Sequence, residues 1–452
     1  MYKLLILLRR SWCSTCIITG FLFPALLAAQ SNRIDTAVYR IRLSEAIEFS
    51  RNQNKWVQAA RMEMAATEED RKDGYKAALP SVNINGSYQR FSNLTLFTDG
   101  LSHSTTAPRK PTSNGAALGA EALFNFYSGG RQKALESEQD ARVGLAKVNA
   151  QELTGNAVLQ TAVQYLEMVK LYDQQRLLNE QLKRARTRLD NINALYHNEK
   201  VTRSDVLRAE VMLSNVELGV EQNNNDIIIA NQRLNVIMNL PDSVCIIPAD
   251  SAGISGPDPD SLLPLIEGGV AASYPLHKAA ENILIQQAKI KGVQSANMPS
   301  VSLYAAYGLT YPNYLFFPPV DQAYALGFVG VKAQYSLSSL YHNKSKLSAA
   351  KLRLKELGVQ QQATTDQVRT TLQSYYIKYK EALNRIIVNR HSVEQAQVNL
   401  KIVSTKYFNQ LALLTDLLDA DNLYQESRFS LVQAQVDAIG IYHYILYTSG
   451  QL

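Results

Sequence analysis

The chain has 452 residues, 19% charged and 46% hydrophobic, a balance that excludes a disordered chain and a bundle of membrane-spanning helices. Its net charge of +6 counts Lys3, Arg9 and Arg10 in a terminal segment expected to be removed, and the remaining excess is too small and scattered to suggest nucleic acid. Tyr outnumbers Trp by 24 to two, and many of the Tyr fall in short strand-like stretches.

In chain order, residues 1–29 read as a secretory signal. Basic residues up to Arg10 precede an apolar core from Ile17 to Ala29, and Leu27-Ala28-Ala29 before Gln30 offers a small-residue cleavage site. A membrane anchor is the rival reading, but the run is short and no second one follows. Removing this segment takes Cys13 and Cys16 with it and leaves Cys245 alone, which excludes an intramolecular disulfide. The protein is therefore expected to be exported and to hold together without disulfides.

After an N-terminal segment (30–42), prolines divide the chain. None falls between Thr112 and Leu240 or after Val320, and those are the tracts where long helices can run, since an interior proline costs about 3 kcal/mol. A first repeat is expected over 43–240. It opens with a helical pattern from Leu43 to Leu79, closed by Pro80. Val82, Ile84, Gly86 and Tyr88 then alternate with Ser81, Asn83, Asn85 and Ser87 in the period-two pattern of a strand (about 81–91). A polar loop from Ser92 to Asn114 leads to a second strand (about 116–127). From Arg131 to Tyr196 the helical period is sustained, with Leu178, Leu182, Ala185, Leu189, Ile192 and Tyr196 in coiled-coil spacing. Such a helix is about 100 Å long. A return helix from Thr202 to Asn239 stops at Leu240-Pro241.

A connector, 241–261, precedes a second repeat over 262–452. Leu262 onward matches Leu43 onward at a constant offset: Ile47/Ile266, Ala60/Ala279, Pro80/Pro299, Val82/Val301 and Tyr88/Tyr307. Strands are expected at about 300–311 and 324–336, around a loop carrying Tyr314, Phe316 and Phe317. A second long helix follows from Tyr341 to Tyr407, with Leu372, Tyr376, Tyr379, Leu383 and Ile386 in heptad spacing, and then a return helix to Tyr447. Each repeat is thus helix, strand, loop, strand, long helix, tip and return helix. A return helix stacked end to end on a short helix spans what one long helix does, so four long columns per chain are expected.

The strands have the length that a tilted strand needs to cross a bilayer, about 9–11 residues. Four cannot close a barrel, and an open edge in lipid leaves backbone groups unpaired. The chain is therefore expected to be mainly α with a membrane β-barrel sector, three copies giving roughly twelve strands. A soluble antiparallel sheet packed on helices is the bland alternative, and it would leave the aromatic loop around Phe316 and Phe317 in water.

The two tips are copies of each other. Tyr196–Ala209 reads YHNEKVTRSDVLRA and Tyr407–Ala420 reads YFNQLALLTDLLDA, sharing Tyr196/Tyr407, Asn198/Asn409, Asp205/Asp416, Leu207/Leu418 and Ala209/Ala420. Asp416 and Asp419 lie one helical turn apart, so three copies would bring six carboxylates around one axis. The alternative is two solvated acids that stabilise the first turn of the return helix. Thr202-Arg203-Ser204-Asp205 is a capping-box pattern. A left-handed residue is needed to reverse the chain, and Asn198 and Asn409 tolerate that conformation, next to Glu199 and Gln410 in the tip turns.

The duplicated order of elements and the tip residues, Tyr followed nine residues later by Asp and an apolar pair, resemble the TolC-type outer-membrane efflux protein family over nearly the whole mature chain. That resemblance implies a homotrimer with a twelve-stranded barrel in outer-membrane lipid and a helical tunnel across the periplasm. It implies a periplasmic adaptor and an inner-membrane transporter as partners, no cofactor and no catalysis. It matches Asp416 and Asp419 to the carboxylates ringing the periplasmic mouth, and Tyr407 and Asp205 to inter-hairpin contacts that hold the mouth closed. Two departures stand out. Glu199 and Gln410 occupy turn positions where the family often has Gly, and the family's mouth arginine falls at Ala412, for which Arg203 on the other tip is the candidate substitute.

The six histidines (His103, His197, His277, His342, His391 and His443) show no helical pair spacing for a metal, and Gly129-Gly130 reads as a strand-to-helix junction rather than a phosphate cradle. An enzyme is the weakest expectation. An efflux channel, a type I protein-secretion exit duct and a non-conducting periplasmic coiled-coil spacer stay open.

Overall fold

The structure, a computed structural model, describes residues 38–92, 95–97, 100–102, 105–106, 112–252, 256–313, 315 and 320–452. The secretory-signal reading of 1–29, His103, and the loop aromatics Tyr314, Phe316 and Phe317 lie outside the described residues. A short strand β1 (Val38–Ile41) leads into helices α1 (Leu43–Gln53) and α2 (Lys55–Lys76), then strand β2 (Ser81–Arg90). Two-residue strands β3 (Thr95–Leu96) and β4 (Thr105–Thr106) precede β5 (Asn114–Tyr127), α3 (Arg131–His197), α4 (Arg203–Met238) and β6 (Cys245–Pro248). The series then recurs as α5 (Leu263–Ala272), α6 (Tyr274–Ser295), β7 (Ser300–Tyr311), β8 (Tyr324–Gln334), α7 (Ser339–Phe408) and α8 (Leu414–Thr448).

The fold class read from the pattern, duplicated long hairpins plus four strands, is the observed one. With 67 and 70 residues, α3 and α7 each extend about 100 Å. On one side α3 packs against α2 and then α4, and on the other against α6 and then α8; α7 packs along α6 and α8. Four columns therefore run side by side in the order α2 with α4, α3, α6 with α8, and α7.

Each short helix expected as one piece is two. The first breaks at Asn54, whose backbone is extended (ψ 130°). Its side-chain Oδ1 accepts from the amides of Trp56 and Val57, at 2.9 and 3.3 Å, and caps α2. Its Nδ2 donates to the Ile237 carbonyl at 2.8 Å, at the last turn of α4. One side chain thus caps the start of α2 and satisfies a carbonyl at the end of α4, so the break lies where the α1–α2 junction meets the end of α4. Ser273 stands at the matching break between α5 and α6, also extended (ψ 142°). A Cβ on Gly450, just past the end of α8, would lie 2.3 Å from the Ala272 carbonyl oxygen, so that column abuts the second break just as closely.

The main sheet is antiparallel in the order β2-β5-β7-β8, with β5 and β7 joining the two repeats. It has two free edges, β2 and β8. Among the described residues no helix lies extensively on its faces, and Ile84 and Val329 are 77% and 74% exposed.

Apolar packing gathers at three levels of the bundle. Midway along α3, Tyr165, Leu166, Met168, Leu234, Met238 and Ile246 form a core under the parallel pair β1–β6. There the buried Tyr165 hydroxyl lies 2.8 Å from the Ile41 carbonyl and 2.9 Å from Asp250 Oδ2, which also accepts from the Leu43 amide at 2.8 Å. Burial and that carboxylate push the Tyr165 phenol well above its ordinary range. A second cluster around Leu372, Tyr379 and Ile445 anchors the connector, through a 2.6 Å bond from the Tyr379 hydroxyl to the Pro257 carbonyl. The third lies at the hairpin tips.

Candidate functional site: the hairpin tips

At each tip the long helix ends in the same way. The Lys200 amide donates to the Leu195 carbonyl and the Leu411 amide to the Lys406 carbonyl, at 2.9 and 2.8 Å. These six-residue closures need a left-handed residue just before the donor. Glu199 (φ 57°) and Gln410 (φ 62°) take that role, not Asn198 and Asn409, whose φ values are −94° and −90°. The asparagines are held right-handed by their own side chains. Asn198 Nδ2 donates to the Ala194 carbonyl at 2.7 Å, and Asn409 Nδ2 to the Thr405 carbonyl at 2.9 Å. With the last-turn carbonyls occupied in this way, the reversal falls one residue later, on side chains that pay a steric penalty of about 1–2 kcal/mol in that region.

The return helices start differently. Thr202 and Asp205 form a complete capping box: the Asp205 amide donates to Thr202 Oγ1 at 3.3 Å, while the Thr202 amide and hydroxyl donate to Asp205 Oδ2 at 2.9 and 2.7 Å. In the second tip Leu413 has no side-chain acceptor, and only the carboxylate half survives, with the Leu413 amide 3.0 Å from Asp416 Oδ2. Asp416 and Asp419 are both exposed, on a stripe that continues through Leu423 and Glu426, and Asp419 makes no side-chain hydrogen bond or ion pair among the described residues. The structure thus brings the two carboxylates onto one open face.

Between the tips, Ile192, Val206, Ala209, Tyr407, Leu414, Leu417 and Leu418 form a buried cluster that joins the two hairpins. Tyr407 is buried within it, but its hydroxyl has no hydrogen-bond partner among the described residues. Asp205 Oδ2 is taken up by the capping box of its own tip, and Tyr407 makes no bond to Asp205 within the chain. Burial, and next the negative charge of Asp205, raise the Tyr407 phenol, with Arg188 opposing. Ala412 packs against the apolar cluster. Arg203 stands exposed at the start of α4 with no carboxylate partner among the described residues.

One turn above this cluster is a polar tie that sequence reasoning missed. Asp421 of α8 is fully buried and accepts from Arg184 Nε at 3.1 Å and Arg188 Nη2 at 2.7 Å, both on α3. Arg184 also donates to Gln425 Oε1 at 3.2 Å, and Arg428 pairs with Glu180 at 2.6 Å. The guanidinium groups of Arg184 and Arg428 lie over the Tyr424 ring. The tie is incomplete, since Arg188 Nη1 and Gln425 Nε2 are buried without partners. A signal was present. Asp421 and Gln425 interrupt the apolar face of α8 that carries Leu414, Leu417, Leu418 and Val432, while Arg184 and Arg188 flank Ala185 on α3.

The strand sector completes the candidate site. Register puts Val82, Ile84, Leu118, Phe124, Leu303, Tyr307, Leu309, Val329 and Val331 on one face of the sheet. Only Arg90, at the end of β2, is charged on that face. The opposite face carries Asn83, Asn85, Glu121, Asn125 and Lys332. Among the described residues no helix is long and apolar enough to cross a membrane.

Comparison with known proteins agrees with this geometry. Residues 46–240 match the sequence model of the outer membrane efflux protein family. No curated protein matches the chain by sequence. Among solved structures, the outer membrane protein VceC from Vibrio cholerae is 16% identical and superposes with a TM-score of 0.73, over 90% of this chain and 96% of its own. The CmeC outer membrane channel from Campylobacter jejuni is 14% identical, with a TM-score of 0.72 over 90% of this chain and 85% of its own. The MtrE outer membrane channel of Neisseria gonorrhoeae, captured in an open state, is 15% identical, with a TM-score of 0.71 over 96% and 98%. The first repeat thus carries the family's sequence pattern, and the whole described chain carries the fold of these channels, in keeping with the TolC-type resemblance of the tips.

Proposed function

We propose that this member of the outer membrane efflux protein family is one third of a trimeric outer-membrane channel, the exit duct of a tripartite efflux system. The observation that carries the reading is the bare sheet. Four strands with free edges β2 and β8 expose one face without charge except at its end, and backbone edges of that kind are stable in lipid only when a barrel closes. Three copies joined β8 to β2 give roughly twelve strands, within the range of such barrels. The helices repeat the logic. The outermost columns leave Val211 and Leu218 on α4, and Ile377, Val388 and Val398 on α7, half or more exposed, as expected of faces that meet neighbouring copies. The barrel would sit in the outer membrane and the hairpins would extend about 100 Å into the periplasm.

In this reading the tips form the periplasmic mouth. An inner-membrane transporter, coupled through a periplasmic adaptor, drives the cargo. Asp416 and Asp419 of each copy face the axis, where like charges at close range draw cations. With Ala412 apolar and Tyr407 unpartnered, the closing contacts rest on apolar packing at the tips more than on a hydrogen-bonded ring.

The protein should fractionate with outer membrane, migrate as a trimer and conduct ions in planar bilayers, whereas a coiled-coil spacer would stay soluble and conduct nothing. Asp416→Ala with Asp419→Ala should raise single-channel conductance and weaken block by divalent cations; unchanged values in an intact trimer would remove these carboxylates from the constriction. Co-purification of the cognate inner-membrane partner separates an efflux duct from a type I protein-secretion duct.

A further inference from the structure

The polar face of the sheet holds a trough with two unlike walls. Strand register aligns Asn83, Glu121, Ala306 and Phe328 in one row, Asn85, Gly119, Gly308 and Leu326 in the next, and Ser87, Ala117, Thr310 and Tyr324 in the third. In these three rows the two inner strands thus offer only small side chains, apart from Glu121 and Thr310. With strands about 4.8 Å apart and same-face rows about 6.8 Å apart, the trough is about 14 Å in each direction. A cavity of about 260 Å³ lies there, bounded by Asn85, Glu121, Thr310, Tyr324, Leu326 and Phe328.

Backbone geometry does not require the glycine pair at its floor. Neither Gly119 nor Gly308 has a positive φ, and a Cβ on Gly308 would meet nothing closer than 3.7 Å. Glycine inside a strand weakens it, and it is kept where something must approach the backbone closely. The charge pattern points to what approaches. In the four strands only Arg90, Glu121 and Lys332 are charged, so Glu121 is the sole carboxylate. Asn85 Nδ2 holds its Oε1 at 3.0 Å, and Oε2 has no side-chain partner among the described residues. Lys332 lies two rows away, about 14 Å along the sheet, too far to neutralise it. Across the trough stand the rings of Tyr324 and Phe328, the latter braced edge-on by Tyr304 at 5.7 Å. A carboxylate facing aromatic rings over a bare floor suits a cation with an apolar, ring-bearing body.

We propose that this trough is a cargo-contact site for monovalent organic cations with aromatic bodies, three per barrel, with Glu121 holding the charge and Tyr324 and Phe328 the body. The assignment rests on the channel reading, since only a closed barrel turns this face toward the lumen. The test is single-channel recording of the full-length trimer with tetraphenylphosphonium as the probe and tetraphenylborate as its anionic counterpart of the same shape. The cation should block in a concentration-dependent way and the anion should not. Glu121→Gln, which keeps the Asn85 bond, should raise the half-blocking concentration about tenfold, and Gly308→Leu, which fills the trough from a strand-compatible position, should do the same. Block unchanged in both variants, or equal block by the anion, overturns the trough and leaves the channel standing. A protein that neither trimerises nor conducts overturns the channel reading as well.

Discussion

Replacing Asp421 with Ala strands two arginines at the α3–α8 interface, and the structure sets the size of the effect. Breaking a buried ion pair by removing one partner costs about 3–5 kcal/mol, because the remaining charge stays desolvated. Here the two arginines differ. The Arg184 side chain is 30% exposed, bonds Gln425 and lies over Tyr424, so it keeps both water and partners. The Arg188 side chain is 9% exposed, and its Nη1 is already unpartnered. The loss should therefore sit near the lower bound, about 3 kcal/mol, and come almost wholly from Arg188. Arg188→Met in the Asp421→Leu background should recover most of it, since an apolar pair needs no compensation. The measurement is denaturant unfolding of the purified protein followed by helical circular dichroism, with midpoints compared at constant slope. A midpoint for Asp421→Ala within about 0.5 kcal/mol of the parent would refute the reasoning, and so would a double variant that equals the sum of its single losses.

The left-handed tip residues give the opposite sign: Glu199→Gly and Gln410→Gly should each stabilise by about 1 kcal/mol, read in the same unfolding assay. Tyr407→Phe should cost less than about 0.5 kcal/mol, because a hydroxyl with no partner contributes little when removed; a loss above 1 kcal/mol would reveal a bond formed in the assembly. His443, buried on α8 with Nδ1 2.9 Å from the Ile439 carbonyl, has its imidazole pKa lowered below the usual 6.5 chiefly by burial. The unfolded chain then binds the proton more readily than the folded one, so this contribution is complete above about pH 6.5 and lost as pH falls below it. Comparing midpoints at pH 7.5 and 5.5, His443→Gln should show a smaller acid-side decline than the parent.

The duplication, the proline-free tracts and the period-two strands set the fold class from the sequence alone, because each reflects hydrogen bonding and side-chain periodicity within one segment. The same local logic placed Asp205 in a capping box, whose partner is three residues away. Where the sequence fell short, the deciding partner mostly lay on another column. The Asn54 side-chain amide at the α1–α2 break meets the Ile237 carbonyl of α4. The tip asparagines are the exception, since Asn198 and Asn409 cede the left-handed position while their side chains bind carbonyls four residues back in their own helices. Asp421 looks like one polar residue in an apolar stripe until the rotation of α8 about its axis brings it against Arg184 and Arg188. Periodicity fixes which residues share a face, but packing alone fixes what that face meets. The trough beside Glu121 has the same origin, since four strands of unremarkable composition acquire a polar wall, an aromatic wall and a glycine floor only through their register.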